Sequence, residues 1–289
     1  MSCPNCDSTD VFEFHDKVWS AEDSVVLRCR NCELIFIDPM MTIEEEREFY
    51  ENYNQHVKAR GMTATQSVEE FHEKSLPIAK QRLEVVGSYF ESGKKVLEVG
   101  SSTGAFLSLI KNCNTYACEL AHDNRDYSKQ FVTGGTFASL ESIKDQTFDI
   151  ICMFHVFEHI RDPQMFLSQC LVCLNEGGII LIEVPCSEDP LVTVFELEEY
   201  KDFIFQPMHP MVYNEEALDF VFNQAGFSKE RVIYHQRYGL ANHLAWLKNK
   251  RPGGDEMMNE LFVDITAYSK KLEQLKKTDT IFYVAKKRV

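Results

Sequence analysis

The chain has 289 residues, enough for one sizeable core and a small satellite module. Its formal net charge is −15, from 45 acidic against 30 basic residues, which argues against a general polyanion binder, so nucleic acid is not the expected partner. With no run of 18 apolar residues and no signal-like N-terminus, the expectation is a soluble, cytoplasmic protein without a membrane span.

The first feature along the chain is a pair of knuckles, Cys3-Pro4-Asn5-Cys6 and Cys29-Arg30-Asn31-Cys32, separated by 22 residues. Val11–Phe14 and Ser24–Arg28 between them have strand character. Four soft thiolates on two tight turns at the ends of a hairpin make a tetrahedral zinc site, so Cys3, Cys6, Cys29 and Cys32 are the expected ligands of a structural Zn2+. Four sulfurs leave no open position, so this metal is not catalytic. His15 reads as a surface histidine. The other six cysteines, Cys113, Cys118, Cys152, Cys170, Cys173 and Cys186, lie in or beside apolar runs and read as buried free thiols of a reducing compartment.

Pro39 closes this module, and Thr42 is a candidate N-cap with Glu44 to Glu46 in the first turn that follows. Tyr50 and Tyr53 form part of an aromatic cluster. From about Val68 to Phe90 the apolar spacing is helical, interrupted by Pro77.

Next comes Lys95-Val96-Leu97-Glu98-Val99-Gly100-Ser101-Ser102-Thr103-Gly104. It predicts a buried strand, a tight glycine turn and a helix from Ala105 to Asn112. Glu98 would crowd a pyrophosphate but suits a ligand carrying positive charge. Ser102 also stands where a dinucleotide fingerprint needs its second glycine. The E-x-G-x-x-x-G pattern resembles motif I of the class I S-adenosylmethionine-dependent methyltransferases. That resemblance implies an α/β, Rossmann-like seven-stranded sheet with Glu98, Gly100, Ser101 and Gly104 at the cofactor. Asn114 to Glu119 is a short second strand. Its terminal acid stands 21 residues after Glu98, where a ribose-binding carboxylate is expected. Gly135 to Ala138 is a weak third strand, near which the resemblance puts the adenine and hence Phe137.

Thr147 to Ile160 holds a fourth buried strand that ends in His155, Glu158 and His159 before Arg161-Asp162-Pro163. It resembles a phrase of many small-molecule methyltransferases, and His155 is expected at the methionine portion of the cofactor. His155 and His159, four apart, lack a convincing third metal ligand in the adjacent sequence. Gln164 to Leu174 reads as a helix punctuated by Gly177-Gly178, and Ile179 to Val184 as a fifth strand whose Glu183 faces the acceptor cleft.

Residues 187 to 215 leave plain alternation. His209 and Tyr213 fall on a histidine and an aromatic of the sugar C-methyltransferases, which this chain resembles from its cysteine module onward, although Met208 replaces the family's acid. A neutral imidazole can take the acceptor's proton near pH 7, so His209 is the expected base, with Tyr213 and Glu183 completing the catalytic set. Asn214 reads as an N-cap. A sixth strand covers Lys229 to Gln236, a helix spans about Glu256 to Lys276, and Thr280 to Ala285 supplies a seventh, antiparallel strand. Between the last two strands, Arg237, Asn242 and His243 join Tyr50 and Tyr53 as expected substrate contacts.

The expected organisation is a zinc ribbon over 1–40, a linker with leading helices over 41–92 and a methyltransferase domain over 93–289, with acceptor segments 187–215 and 237–278. The resemblance implies methyl transfer from S-adenosylmethionine to a nucleotide-sugar or glycan, first to carbon of a nucleotide-linked keto-sugar in carbohydrate biosynthesis. The alternative is an O-methyltransferase acting on a sugar, glycan or other small metabolite.

Overall fold

The computed structural model describes residues 1–51, 67–254 and 265–288. Two sheets organise them. Strands β1 (Val11–His15), β2 (Val25–Cys29) and β3 (Ile35–Asp38) form an antiparallel meander with the knuckles at its ends. The larger sheet contains β4 (Lys95–Val99), β5 (Asn114–Cys118), β6 (Gly135–Phe137), β7 (Phe148–Phe154) and β8 (Leu174–Pro185). Strand β9 (Met211–Val212) then returns to the small sheet, and β10 (Phe227–His235) and β11 (Thr280–Lys287) complete the large one. Its order is β10-β11-β8-β7-β4-β5-β6, parallel from β8 through β6, with β11 antiparallel to both of its neighbours.

Alternation of side chains across a strand explains the two-sided core. On β4, Leu97 and Val99 face one apolar cluster and Val96 the other; on β8, Ile180, Ile182 and Val184 oppose Leu181 in the same way. The first cluster continues without a break into Cys3, Leu27, Cys29, Leu34 and Phe36, so the cysteine module is part of the main core rather than an appendage. All ten cysteines are free, and all but Cys6 are buried.

Several local expectations are corrected. The run after the glycine turn does not form an α-helix: one i→i+4 bond, Ser108 to Gly104, gives way to i→i+3 bonds, and the only helical turn is 3-10, Leu107–Leu109. Nine residues must both cover the sheet and deliver the chain to β5, which leaves no room for a full helix. Gly177 and Gly178 lie inside β8, at an irregularity in its pairing with β7, instead of ending an element. His15 is buried and pairs with Asp202 at 2.8 Å. The late helix is described over Ile265–Gln274, and the earlier part of the expected span lies outside the described residues. Helix Leu240–Asn249, not anticipated, carries Asn242 and His243. Pro77 sits within helix Val68–Val86 without ending it. Among the described residues no helix is long and apolar enough to cross a membrane.

The site is placed by topology. Parallel pairing brings the C-terminal ends of β4, β5, β7 and β8 to one edge. Because β11 runs the opposite way, its start at Thr280 and the end of β10 at His235, with the flanking Asp279 and Gln236, reach that same edge.

Candidate functional site

The glycine turn is shaped by backbone that side chains resist. Gly100 and Gly104 have φ of +67° and +77°. A Cβ on Gly100 would lie 2.4 Å from Val156 Cγ2, so the loop after β7 closes directly on the turn. Glu119, at the end of β5, reaches back to accept from Ser102 N at 2.7 Å and from Ala121 N at 2.8 Å, keeping lone pairs on both oxygens. The turn is also braced by a residue the sequence reading did not single out. His72, buried on helix Val68–Val86, bonds Thr103 Oγ1 at 3.2 Å and stacks on Phe131 with centroids 4.4 Å apart.

Glu98 and Ser101 carry the clearest signs of a ligand. Both are buried, and Glu98 Oε2 and Ser101 Oγ have no hydrogen-bond partner among the described residues. Burial pushes the Glu98 carboxyl up to about 8, with Glu119 adding to the rise and Arg82 opposing it. A buried carboxyl with an unpartnered oxygen beside a left-handed glycine turn fits a ligand that brings an ammonium group and hydroxyls. The residues present therefore fit S-adenosylmethionine.

A second set surrounds His155, which has a left-handed φ of +55°. Its Nδ1 is 3.0 Å from Glu158 Oε1, and its Nε2 lies 2.8 Å from Arg237 Nη1 and 3.6 Å from Glu183 Oε1. Burial alone would lower the imidazole, but the bonds from Glu158 and Glu183 outweigh it and hold the ring up to about 9. A guanidinium can only donate, so the Arg237 contact needs Nε2 unprotonated; protonation there favours Glu183 and displaces Arg237. Glu183 is 2% exposed and bonded by Arg82 Nε at 2.5 Å. Burial would raise its carboxyl, but His155 and Arg82 hold it down to about 2. So placed, Glu183 is a poor proton acceptor and serves to position His155 and Arg82.

The third set centres on His209, half-buried on the segment before β9. Its Nδ1 is 3.1 Å from Gln206 Nε2, and its ring meets that of His159 edge-on at 4.8 Å. His159 Nδ1 is bonded to Met208 O. Tyr213 is not beside it as a reactive group: it is fully buried, packs on Phe157, and its hydroxyl donates to Met211 Sδ at 3.0 Å. The structure does not bring Tyr213 together with His209 as the expected catalytic set had it. The tyrosine ring serves the core instead.

Among the expected substrate contacts, His243 is buried between Gln236 and the Tyr268 hydroxyl, and burial lowers its imidazole to about 4, so it is neutral and internal. Asn242 donates to Gly253 O at 3.0 Å, closing the following loop. Arg237 alone of this trio joins the His155 set. Phe137 is partly buried against the core and near-parallel to Tyr116 at 6.3 Å. The Tyr50 side chain and all of Tyr53 lie outside the described residues.

In the cysteine module, Cys3 and Cys32 sulfurs are 3.5 Å apart, as are those of Cys6 and Cys29, and all four lie within 4.8 Å of one another. Tetrahedral zinc with bonds near 2.3 Å would set sulfurs about 3.8 Å apart, so the four residues fit that ion. Asn5, inside the first knuckle, donates to Ala217 O at 3.0 Å and ties the module to helix Glu215–Gln224. Strand β9 pairs with β3, making the small sheet four-stranded only two residues beyond His209.

Residues 71–232 match a family model described as a methyltransferase domain. A Mycolicibacterium smegmatis protein described as a probable S-adenosylmethionine-dependent methyltransferase is 27% identical over 149 residues, 49% of this chain. The match spans 55% of that relative's length. Among solved structures, a SAM-dependent methyltransferase from Archaeoglobus fulgidus superposes with a TM-score of 0.52 at 20% identity. That superposition covers 81% of this chain and 99% of that one, and the likeness concerns the fold.

Proposed function

The chain belongs to this methyltransferase-domain family, and on that premise we propose that it transfers a methyl group from S-adenosylmethionine to a small-molecule acceptor. The observation that carries the reading is the buried, unpartnered carboxylate oxygen of Glu98 beside the left-handed turn at Gly100. When bound, the cofactor supplies a methyl already activated by its sulfonium. Glu98 holds the ammonium of its methionine portion, Ser101 and the turn approach it closely, and Glu119 takes the ribose hydroxyls. His155, held from three sides, fixes the wall of the methionine pocket, and Phe137 lies toward the adenine.

The protein's remaining task is to orient the acceptor and remove its proton. His209 is the group assigned to that proton. Its ring is half-exposed on the 187–215 segment, and Gln206 contacts its Nδ1 at 3.1 Å, the amide presenting its oxygen there when Nε2 is the accepting atom. We assign the acceptor to the nucleotide-linked keto-sugars, with carbon beside the carbonyl as the reacting atom and Arg237 toward the phosphate or sugar. A sugar hydroxyl would use the same base and is the alternative outcome of the test.

The test is a panel of nucleotide-sugars with labelled cofactor, followed by NMR of the product. A new carbon–carbon methyl supports the assignment, an O-methyl selects the alternative, and refusal of every nucleotide-sugar removes the sugar. His209→Ala should suppress turnover while leaving S-adenosylhomocysteine affinity intact; normal turnover in that variant would remove the base.

The four-cysteine module is assigned a structural Zn2+. Cys29→Ser is expected to lower zinc content and the denaturation midpoint together, and unchanged metal content would reject the assignment.

A further inference from the structure

The sequence around His159 offers no third ligand, but the fold supplies one from 50 residues away. We propose that Glu158, His159 and His209 form a binding site for a divalent first-row transition cation, distinct from the four cysteines. One ligand atom from each of the three lies within 4.8 Å of the others, and they form one of two such clusters among the described residues.

Three observations support the site. Glu158 is fully buried, its Oε1 is taken by His155 Nδ1, and its Oε2 has no hydrogen-bond partner among the described residues. A buried ionised carboxylate oxygen without a donor calls for a cation or a donor to face it. Both imidazoles are also held by Nδ1, His159 on Met208 O and His209 on Gln206. This is the usual way a metal-bound histidine is oriented, with Nε2 as the coordinating atom and the carbonyl or amide oxygen receiving the Nδ1 proton. For His209 this requires the Gln206 amide to present its oxygen, a rotation about one bond. Finally, a cleft lined by Met40, Glu46, His159, Arg161 and Met208 gives access beside His159.

Two imidazoles and one carboxylate select zinc, iron, cobalt or nickel over calcium and magnesium, which prefer all-oxygen shells. Three protein ligands leave positions for water or an acceptor oxygen, unlike the closed four-sulfur site. A cation on His209 Nε2 occupies the lone pair that would otherwise accept a proton. Metal-loaded and base-competent His209 are therefore mutually exclusive states, and the metal site itself stands independently of the acceptor assigned above.

The test uses the full chain, stripped with a chelator and reloaded with excess Co2+, with bound metal measured after gel filtration. The expected result is an equivalent of cobalt that is retained in Cys29→Ser and lost in His209→Ala, lowering the wild-type content from two per chain to one. Its absorption should lack the thiolate charge-transfer band of the cysteine site. Because Glu158 is buried and braces His155, Glu158→Gln risks misfolding. The half-exposed His209→Ala and His159→Ala, with folding checked by circular dichroism, therefore decide the matter. If no equivalent shows that pattern, the site does not exist. Metal content is the readout, so the answer does not depend on methyl transfer being detected.

Discussion

Arg82 Nε sits 2.5 Å from Glu183 Oε2, joining the leading helix to the end of β8 across 101 residues of sequence. The guanidinium also lies over the Phe154 ring at 4.8 Å. Glu183 is 2% exposed in its side chain and Arg82 18%, so the pair is largely out of water. Removing Arg82 leaves the Glu183 carboxylate with His155 as a remaining partner, so the cost falls below the roughly 3–5 kcal/mol of a fully uncompensated buried charge. Arg82→Ala is expected to lose about 1.5–3 kcal/mol of stability, the worth of a hydrogen bond between charged groups, read from urea denaturation. A loss below about 1 kcal/mol would mean that water reaches Glu183 freely.

Cofactor binding should release a proton from Glu98. Burial keeps its carboxyl up to about 8 in the free protein, and an ammonium ligand favours the ionised form. Affinity for S-adenosylhomocysteine should therefore rise with pH, by up to about tenfold per unit below 8, and level off above it. Calorimetry in two buffers of different ionisation enthalpy measures the proton directly. Glu98→Gln should bind weakly with no proton released, whereas wild type binding without release would separate Glu98 from the ammonium.

The turn at Gly100 can be tested by crowding it. Gly100→Ala adds a Cβ 2.4 Å from Val156 Cγ2 at a φ of +67° and should cost roughly 1–3 kcal/mol. Adding Val156→Ala removes the contact but not the backbone strain, so the double variant should recover part of the loss. Strict additivity of the two changes would show that the loops do not touch.

Asp189 makes a separate pH prediction. Burial, then the facing Asp279, push its carboxyl from 3.8 up to about 7, while Tyr200 and the Leu191 amide bond the group. Between about pH 4 and pH 7 the folded chain binds a proton that the unfolded chain has released, so this group's contribution to stability declines as pH rises through that window. Asp189→Asn should flatten the decline and leave the variant relatively more stable above pH 7. An unchanged slope of denaturation midpoint against pH would mean that Asp189 is ionised throughout.

The positions of β4, β7 and β8 along the chain were legible because they are near-continuous apolar runs, whereas their order in the sheet was not read from them. The turn at Gly100 was legible because its residue types are needed locally. The absent helix after Gly104 was not: Ala105 to Ile110 has helical apolar spacing, and only the short distance to β5 prevents the helix. The burial of Tyr213 was not legible because an aromatic in a motif and an aromatic in a core look alike in one sequence. Arg82 left a faint signal, a cation one helical turn from Ala79 on the stripe that also carries Val86. His209 beside Glu158 left none, since contacts across 50 residues depend on the fold.

The pairing of β9 with β3 makes residues 1–40 and the segment around His209 a single unit of inheritance. Exchanging the cysteine module with that of a relative would alter the strand partner of Met211 and Val212, and with it the seat of His209. A chimera built to change acceptor preference should therefore move 1–40 and 205–214 together, because either piece alone would part β9 from β3.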